Sequence, residues 1–373
     1  MHLIGSMGVG GAEKLTKYLV EGLNPDLFES SLCCLEKGGE YANDLVDRGY
    51  EIDILSSGVG SKKDPKHLLF LFNKLRDLLC KKRPQILHTH LALTSVFGAV
   101  CGKTVNVPVI ISTLHRIEYP KYQTYLFWLV NKYIHAFIVD SYSVKDLLST
   151  RVGLPASKIF VAYNGIDTEY FQVYVDGQAQ RRNLNIPGDA KVVGIIAHLY
   201  PEKGHRNLIQ AFSKVVKTQP RALLLIVGDG NMRDALIDMS KKLNVESKIM
   251  FLGTRTDLRE ILSVMDAVVL PSSWDGFGII LAEAMYLQKP VIASNVGGPS
   301  ELIENGISGL LTTYGNVSEL TSAILRVITD GNISFELGRK GKMRVEALFT
   351  KNVMCQRYEN IYSDLLLKGY FNG

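Results

Sequence analysis

PSSWDGFGIILAEAM, residues 271–285, is the stretch from which the fold can be read. It follows an apolar run, Ala267 to Leu270, with the length of one buried strand, and it continues as an apolar helical pattern from Ile279 to Met285. Between the two stand Gly276 and Gly278, residue types suited to a tight strand-to-helix corner. Taken alone, Asp275 can cap that helix and Glu283 can be one of its solvated residues. Glu283, however, is set among Ile279, Ile280, Leu281, Ala282, Ala284 and Met285, so it is expected to be held for a partner. Were the whole separation helical, the two carboxylates would stand about 12 Å apart along the axis. A retaining glycosidase places its pair about 5–5.5 Å apart, so Asp275 and Glu283 are read as ligand-holding groups and not as a hydrolytic dyad.

The same strand, corner and helix rhythm runs outward in both directions. In the first half, strands are expected at His2-Ile4, Ser31-Leu35, Glu51-Leu55, Gln85-Thr89, Val109-Thr113 and Ala136-Val139. Helical patterns fall at Glu13-Leu23, at Lys66-Lys82 and at Thr94-Gly102. The second half has strands near Val192-Ala197, Ala222-Val227, Ile249-Leu252, Ala267-Leu270 and Val291-Ala293. Strands this continuously apolar suit a parallel sheet covered on both faces. Asp167 to Asp189 is polar, carries Gly177, Pro187 and Gly188 and lacks sustained periodicity, so it is expected as the linker. The expected architecture is α/β: two Rossmann-like, doubly wound domains, residues 1–168 and 169–349, facing each other across a cleft. Ligands in such folds collect beyond the carboxyl ends of the strands.

Composition sets the outer limits. With 373 residues, 46 % hydrophobic and 21 % charged, the chain is long enough for two cores and is neither disordered nor fibrous in usage. The longest greasy stretch, Tyr125 to Val139, is interrupted by Asn131, Lys132 and His135 and falls short of the roughly 20 apolar residues of a spanning helix. No secretory leader is evident after Met1, and Cys33, Cys34, Cys80, Cys101 and Cys355 form no C-x-x-C pair, so buried thiols in a cytoplasmic protein are expected. The net charge of +5 is mild but uneven, because residues 62–83 hold eight Lys/Arg against two Asp. That favours an anionic surface or substrate over a nucleic-acid groove.

Other corners carry softer signals. Gly8-Val-Gly10-Gly11-Ala-Glu13 opens the first helix and lets backbone amides approach a phosphate, yet Glu13 stands where a dinucleotide fingerprint needs its third glycine. Leu199-Tyr-Pro-Glu-Lys203-Gly204-His205 places a lysine where it can neutralise a diphosphate, and Val227-Gly228-Asp229-Gly230 forms another strand-end turn. His88-Thr-His90 puts two imidazoles on one strand face without an evident third ligand, so core or cleft histidines are expected there instead of a metal site. His115 lies just beyond a strand end. The absence of an Asp-x-Asp pair disfavours a transferase that grips its sugar nucleotide through bridging metal.

Together, Gly10-Gly11-Ala12-Glu13, Pro201-Glu202-Lys203-Gly204, the Asp275-Gly276-Phe277-Gly278 to Glu283 segment and Val296-Gly297-Gly298-Pro299-Ser300-Glu301 resemble a retaining glycosyltransferase of family 4, with the GT-B fold. The resemblance covers nearly the whole chain in order. It implies an acceptor bound mainly by the first domain and a sugar nucleotide mainly by the second, no required metal or other cofactor, and a final helix, within 350–373, that returns to the first domain. It further implies that Lys203 binds the diphosphate, that Glu283 holds the ribose as the second Glu of an E-x7-E motif, and that Gly276, Phe277 and Gly278 offer backbone donors. His115 would approach the donor sugar, and Gly10 and Gly11 would close on the phosphates. Two departures stand out. Asp275 replaces the first Glu of that motif, and His198 stands where the family usually has arginine, exchanging a permanent bidentate cation for a titrating imidazole.

The resulting expectation is an enzyme that moves a hexose from a UDP-sugar, ahead of a GDP-sugar, to a glycan or lipid-linked acceptor in cell-surface polysaccharide, lipopolysaccharide or glycolipid assembly. With Lys203, Asp275 and His115 as its catalytic groups and His198 among its donor-binding ones, it would act at the inner face of an anionic membrane, touched by Lys62 to Arg83 and by Tyr119, Tyr122, Tyr125, Phe127 and Trp128. No nucleic-acid partner is expected. Two other readings are a nucleotide-sugar-binding protein with lost catalysis, motivated by Asp275 and His198, and an NAD-dependent oxidoreductase, motivated by the sheet rhythm and the first glycine loop.

Overall fold

The computed structural model describes residues 1–8, 10–56, 64–114 and 121–371. The chain divides into two α/β units, Met1–Gly165 with Lys351–Gly373, and Ile166–Thr350. In the first, seven parallel strands, β1 (His2–Ile4), β2 (Leu32–Cys34), β3 (Ile52–Ile54), β4 (Ile86–His90), β5 (Val109–Thr113), β6 (Ala136–Val139) and β7 (Ile159–Val161), lie in the order β3-β2-β1-β4-β5-β6-β7. In the second, β8 (Lys191–Ile196), β9 (Ala222–Val227), β10 (Ile249–Gly253), β11 (Ala267–Leu270), β12 (Val291–Ser294) and β13 (Leu310–Thr312) lie in the order β10-β9-β8-β11-β12-β13. Every residue of β1, β4, β5, β6, β11 and β12 is buried, which is why β6 and β11 are apolar throughout instead of alternating and why the polar residues of the others, such as His88, Thr89 and His90, are buried as well. In each sheet the winding direction reverses, between β1 and β4 and between β8 and β11. The corner loops around such a switch point form a natural crevice.

β7 and β13 escaped the sequence reading. Both are edge strands of three residues, Ile-Phe-Val and Leu-Leu-Thr, too short for a periodic signal. The stretch expected as a linker is instead part of the second unit. Asp167 accepts from the amides of Glu169 and Tyr170, Asp176 accepts from those of Gln178 and Ala179, and the capped helices Thr168–Gln172 and Gly177–Asn183 follow. Buried Arg181 then donates to Val264 O and, at 2.9 Å, to Asp266 Oδ2, tying the segment into the fold.

The final helix, Lys351–Phe371, belongs to the first unit and packs on the helix Gly11–Gly22. Gly22 permits the approach, since a Cβ there would lie 2.6 Å from Cys355 Sγ. Four of the five cysteines are buried, as expected, and Cys80 is exposed; burial pushes the Cys34, Cys101 and Cys355 thiols up to about 12. The parallel register sets His2 opposite His88 and so adds the third imidazole that the sequence did not reveal. Ring nitrogens of buried His2, His88 and His90 come within 4.8 Å of one another. They are joined to their surroundings by hydrogen bonds: His2 Nδ1 with His90 Nε2 at 3.1 Å, His88 Nε2 with Thr113 Oγ1 at 2.6 Å, and His88 Nδ1 with the Tyr362 hydroxyl at 2.5 Å. The cluster therefore links β1, β4, β5 and the final helix through one buried polar network. Among the described residues no helix is long and apolar enough to cross a membrane.

Candidate functional site

The carboxyl edge of the second sheet is built from loops that lock onto one another through their backbones. The loop after β8 is closed from one side by the turn after β9: Leu199 N donates to Asp229 O, Met232 N to Leu199 O, and a Cβ on Gly228 or Gly230 would fall 2.1 Å from Ala197 O or 2.6 Å from Leu199 O. From the other side the loop after β11 meets it, with Ser273 N donating to Glu202 O at 2.8 Å. Gly204, at φ +75°, is required there because a Cβ would lie 1.9 Å from Pro271 O. The turn after β12 completes the edge. Gly298 N donates to Asp275 O at 2.9 Å, and Cβ atoms on Gly297 and Gly298 would meet Asp275 O at 2.2 Å and Gly276 O at 1.9 Å. Glycine occurs at these corners because four loops share a space in which side chains do not fit.

This scaffold brings Lys203 to Asp275. Lys203 Nζ donates to Asp275 Oδ2 at 2.7 Å, with both side chains partly exposed at 23 % and 17 %. The other oxygen, Oδ1, accepts from Gly278 N at 3.2 Å, so Asp275 spans the corner that Gly276 and Gly278 form. The helix begins at Ile279, where the apolar pattern placed it, and the first part of the separation between Asp275 and Glu283 is the turn, with Gly278 at φ +79°. The leading amides of the helix have no partner within it, and they sit at this same corner. Phe277 turns its ring inward, 5.4 Å from that of Phe349, leaving its backbone to form the edge. Glu283 is 2 % exposed, a carboxylate embedded in the helix face that the sequence pattern marked. His198 is exposed and stacks on Tyr200, with ring centroids 5.6 Å apart.

In the first unit, Gly10 caps the helix that Gly11 begins, and Glu13 folds back so closely that a Cβ on Gly10 would meet its carboxylate at 2.2 Å. His115 lies outside the described residues, as does Val9. Sequence reasoning overlooked His205. It opens the helix His205–Thr218 on the face shared by Leu208, Ile209 and Phe212, a buried periodicity that was legible. Both of its ring nitrogens, with Ser272 Oγ and Ser294 Oγ, are buried without a hydrogen-bonding partner among the described residues. Each of these three residues adjoins one of the edge loops. Burial, reinforced by the nearby Lys203 cation, lowers the His205 imidazole to about 4.

Residues 176–344 match the family described as glycosyl transferases group 1, and residues 9–170 match glycosyltransferase family 4. An Escherichia coli protein, UDP-Gal:alpha-D-GlcNAc-diphosphoundecaprenol alpha-1,3-galactosyltransferase, is 25 % identical over 373 residues, covering 96 % of this chain and 95 % of that protein. The capsular polysaccharide biosynthesis glycosyltransferase CapM of Staphylococcus aureus is 25 % identical, covering 81 % of this chain and 84 % of its own. Among solved structures, HepE of Anabaena in complex with UDP superposes with a TM-score of 0.84 at 23 % identity, covering 97 % of this chain and 99 % of that one.

The lowered His205 gives a pH signature. Between its ordinary 6.5 and about 4 the unfolded chain binds a proton on this imidazole that the folded chain does not, so the contribution is intact above that window and is lost as pH falls through it. Thermal melts of wild type and His205→Gln between pH 7.5 and 4.5 should therefore diverge, wild type losing up to about 1.4 kcal/mol more per pH unit below 6.5. Parallel curves would contradict a neutral, buried His205.

Proposed function

The chain belongs to the glycosyltransferases of group 1 and family 4, with the GT-B fold, and from that membership we propose that it moves a sugar from a UDP-sugar to a lipid-linked or glycan acceptor of the cell surface, with retention of configuration and without a metal ion. The single observation that carries this reading is the Lys203–Asp275 pair at the glycine-built carboxyl edge of the second unit. As the glycosidic bond breaks, negative charge grows on the distal phosphate. Lys203 and the amides of the Gly276 to Ile279 corner are placed to stabilise it, supplying the positive charge that a metal provides in other transferases. Asp275 holds Lys203 in position until the diphosphate competes for it, and Glu283 holds the ribose. On the same face, the leaving phosphate oxygen takes the acceptor proton.

A UDP-sugar is favoured as donor because the Escherichia coli relative is named for UDP-Gal and the Anabaena neighbour was solved with UDP and with UDP-glucose. The names of the relatives likewise support surface-glycan assembly. We place the enzyme at the cytoplasmic face of the membrane, resting on the helices Pro65–Lys82 and Lys121–Val130. The first is basic, and the second exposes Tyr125, Leu126, Trp128 and Leu129.

Thermal-shift titrations with UDP, GDP, ADP and NAD, each with and without a chelator, test the donor site. At 100 times its dissociation constant a ligand stabilises the fold by about 2.7 kcal/mol, and UDP is expected to do so equally in the chelator. Stabilisation by NAD alone, or by none of the four, would overturn the assignment. Co-sedimentation with anionic liposomes at low salt is expected for the membrane contact, and protein remaining in the supernatant would remove it.

A further inference from the structure

The amino edge of the first sheet carries a cleft of its own, on the side away from the carboxyl ends where ligands of doubly wound folds collect. It has a volume of ≈ 230 Å³ and lies beside the starts of β5 and β6. Lys103, in the last turn of the helix Ala92–Thr104, lines it together with Asn106 from the turn before β5 and with Lys132 and His135 from the segment before β6. Val107, Pro108 and Tyr133 supply apolar surface beside these groups. Among the described residues no carboxylate lines the cleft.

Local bonding leaves these cations to the cleft. The carbonyls of Cys101, Gly102 and Lys103 at the helix end already accept from the amides of Val105, Val107 and Asn106, the last at φ +55°, so the Lys103 ammonium is not needed to cap them. Among the described residues no carboxylate pairs with Lys103 or Lys132, whereas Lys17, Lys82, Lys203 and Lys351 each have such a partner. Half-buried Lys158 donates to Ile134 O at 2.9 Å and to Asn131 O at 3.2 Å, which fixes the turn that carries Lys132 and Tyr133. His135 accepts at Nδ1 from Ile110 N at 3.0 Å, so the neutral ring carries its proton on Nε2 as a donor. Burial and, after it, the Lys158 and Lys103 cations lower this imidazole, a sign that the field at the cleft is positive.

Two lysines, an imidazole N–H and an amide offer donors from several directions, and a phosphate group is the anion whose oxygens can accept from all of them. Pockets for drug-sized ligands run to about 300–1,000 Å³, so this smaller cleft suits a phosphate with a short organic residue and not a second nucleotide sugar. We propose that the cleft binds the phosphate group of a small phosphate ester through Lys103, Lys132 and His135, at a site apart from the edges where substrates collect. The inference does not depend on the transferase reading. A phospholipid headgroup carries the same chemistry, and the helix Lys121–Val130, with Tyr125 and Trp128 exposed, runs directly into the Asn131–Tyr133 turn. The experiment therefore separates the two sources.

Glycerol 3-phosphate is titrated calorimetrically into the full chain at low salt, with glycerol as the uncharged comparison. Co-sedimentation with phosphatidylcholine vesicles, with and without phosphatidic acid, runs in parallel. Wild type is expected to bind the phosphate ester and not glycerol. Lys103→Met and Lys132→Met, both at exposed positions, are each expected to weaken that binding about tenfold, the loss of one hydrogen bond to a charged group. His135→Asn keeps an acceptor for Ile110 N and removes the Nε2 donor, so it is expected to weaken binding while the melting temperature holds. Lys203→Met is expected to bind the ester as wild type does, and loss of binding there would place the anion in the second unit and overturn the proposal. Affinity for glycerol 3-phosphate without retention on phosphatidic acid identifies a soluble ester as the source. Retention on phosphatidic acid that the Lys103→Met, Lys132→Met double variant abolishes identifies a headgroup. Binding of neither probe, or binding that the double variant retains in full, would overturn the proposal.

Discussion

Lys203 and Asp275 stand 72 residues apart in the chain and 2.7 Å apart in space, and the proposed donor site depends on whatever holds them there. Neither side chain could arrive by local structure alone. Gly204 lets the lysine-bearing loop lie against Pro271, and Gly297 and Gly298 let the next turn lie against Asp275 and Gly276. A Cβ at any of these corners would force a backbone displacement, and a displacement at one loop is transmitted to the others because their amides and carbonyls are bonded across the gaps. The ion pair is thus a product of close backbone packing. It is partly exposed, so its value lies in position and not in stability.

Much of this was legible in the sequence, and for identifiable reasons. Continuous apolar runs such as Ala222-Val227 and Ala267-Leu270 announced a parallel sheet because both faces of those strands are covered. The Asp275 to Glu283 segment was informative because a carboxylate in an otherwise apolar helix has no bland purpose, and the structure buries it. What was not legible depended on pairing in space. The third histidine, His2, comes from a neighbouring strand, and the edge strands β7 and β13 are too short to show a period. Asp167 and Asp176 looked like linker residues because the helices they cap have only five and seven residues. Nor does spacing reveal that a lysine and an aspartate on separate loops will pair.

The two units use one architecture for different chemistry. At the second unit's carboxyl edge, glycine corners, a lysine, an aspartate and helix-leading amides make a polar seat suited to a charged diphosphate. At the first unit's edge, leucines and a phenylalanine, with Leu91 at φ +72°, make a largely apolar cleft that Glu36 and His67 also line. Behind that cleft the His2, His88 and His90 network anchors the final helix to the sheet through Tyr362 and Thr113.

The most direct test of the central claim is the affinity of UDP relative to uridine, measured by calorimetry in chelator for wild type and Lys203→Met. If Lys203 is the diphosphate receptor, wild type will prefer UDP strongly, and the substitution will erase about tenfold or more of that preference while uridine affinity holds. A preference for UDP that is undiminished in Lys203→Met would show that the diphosphate is held elsewhere, and the account of the site would fail.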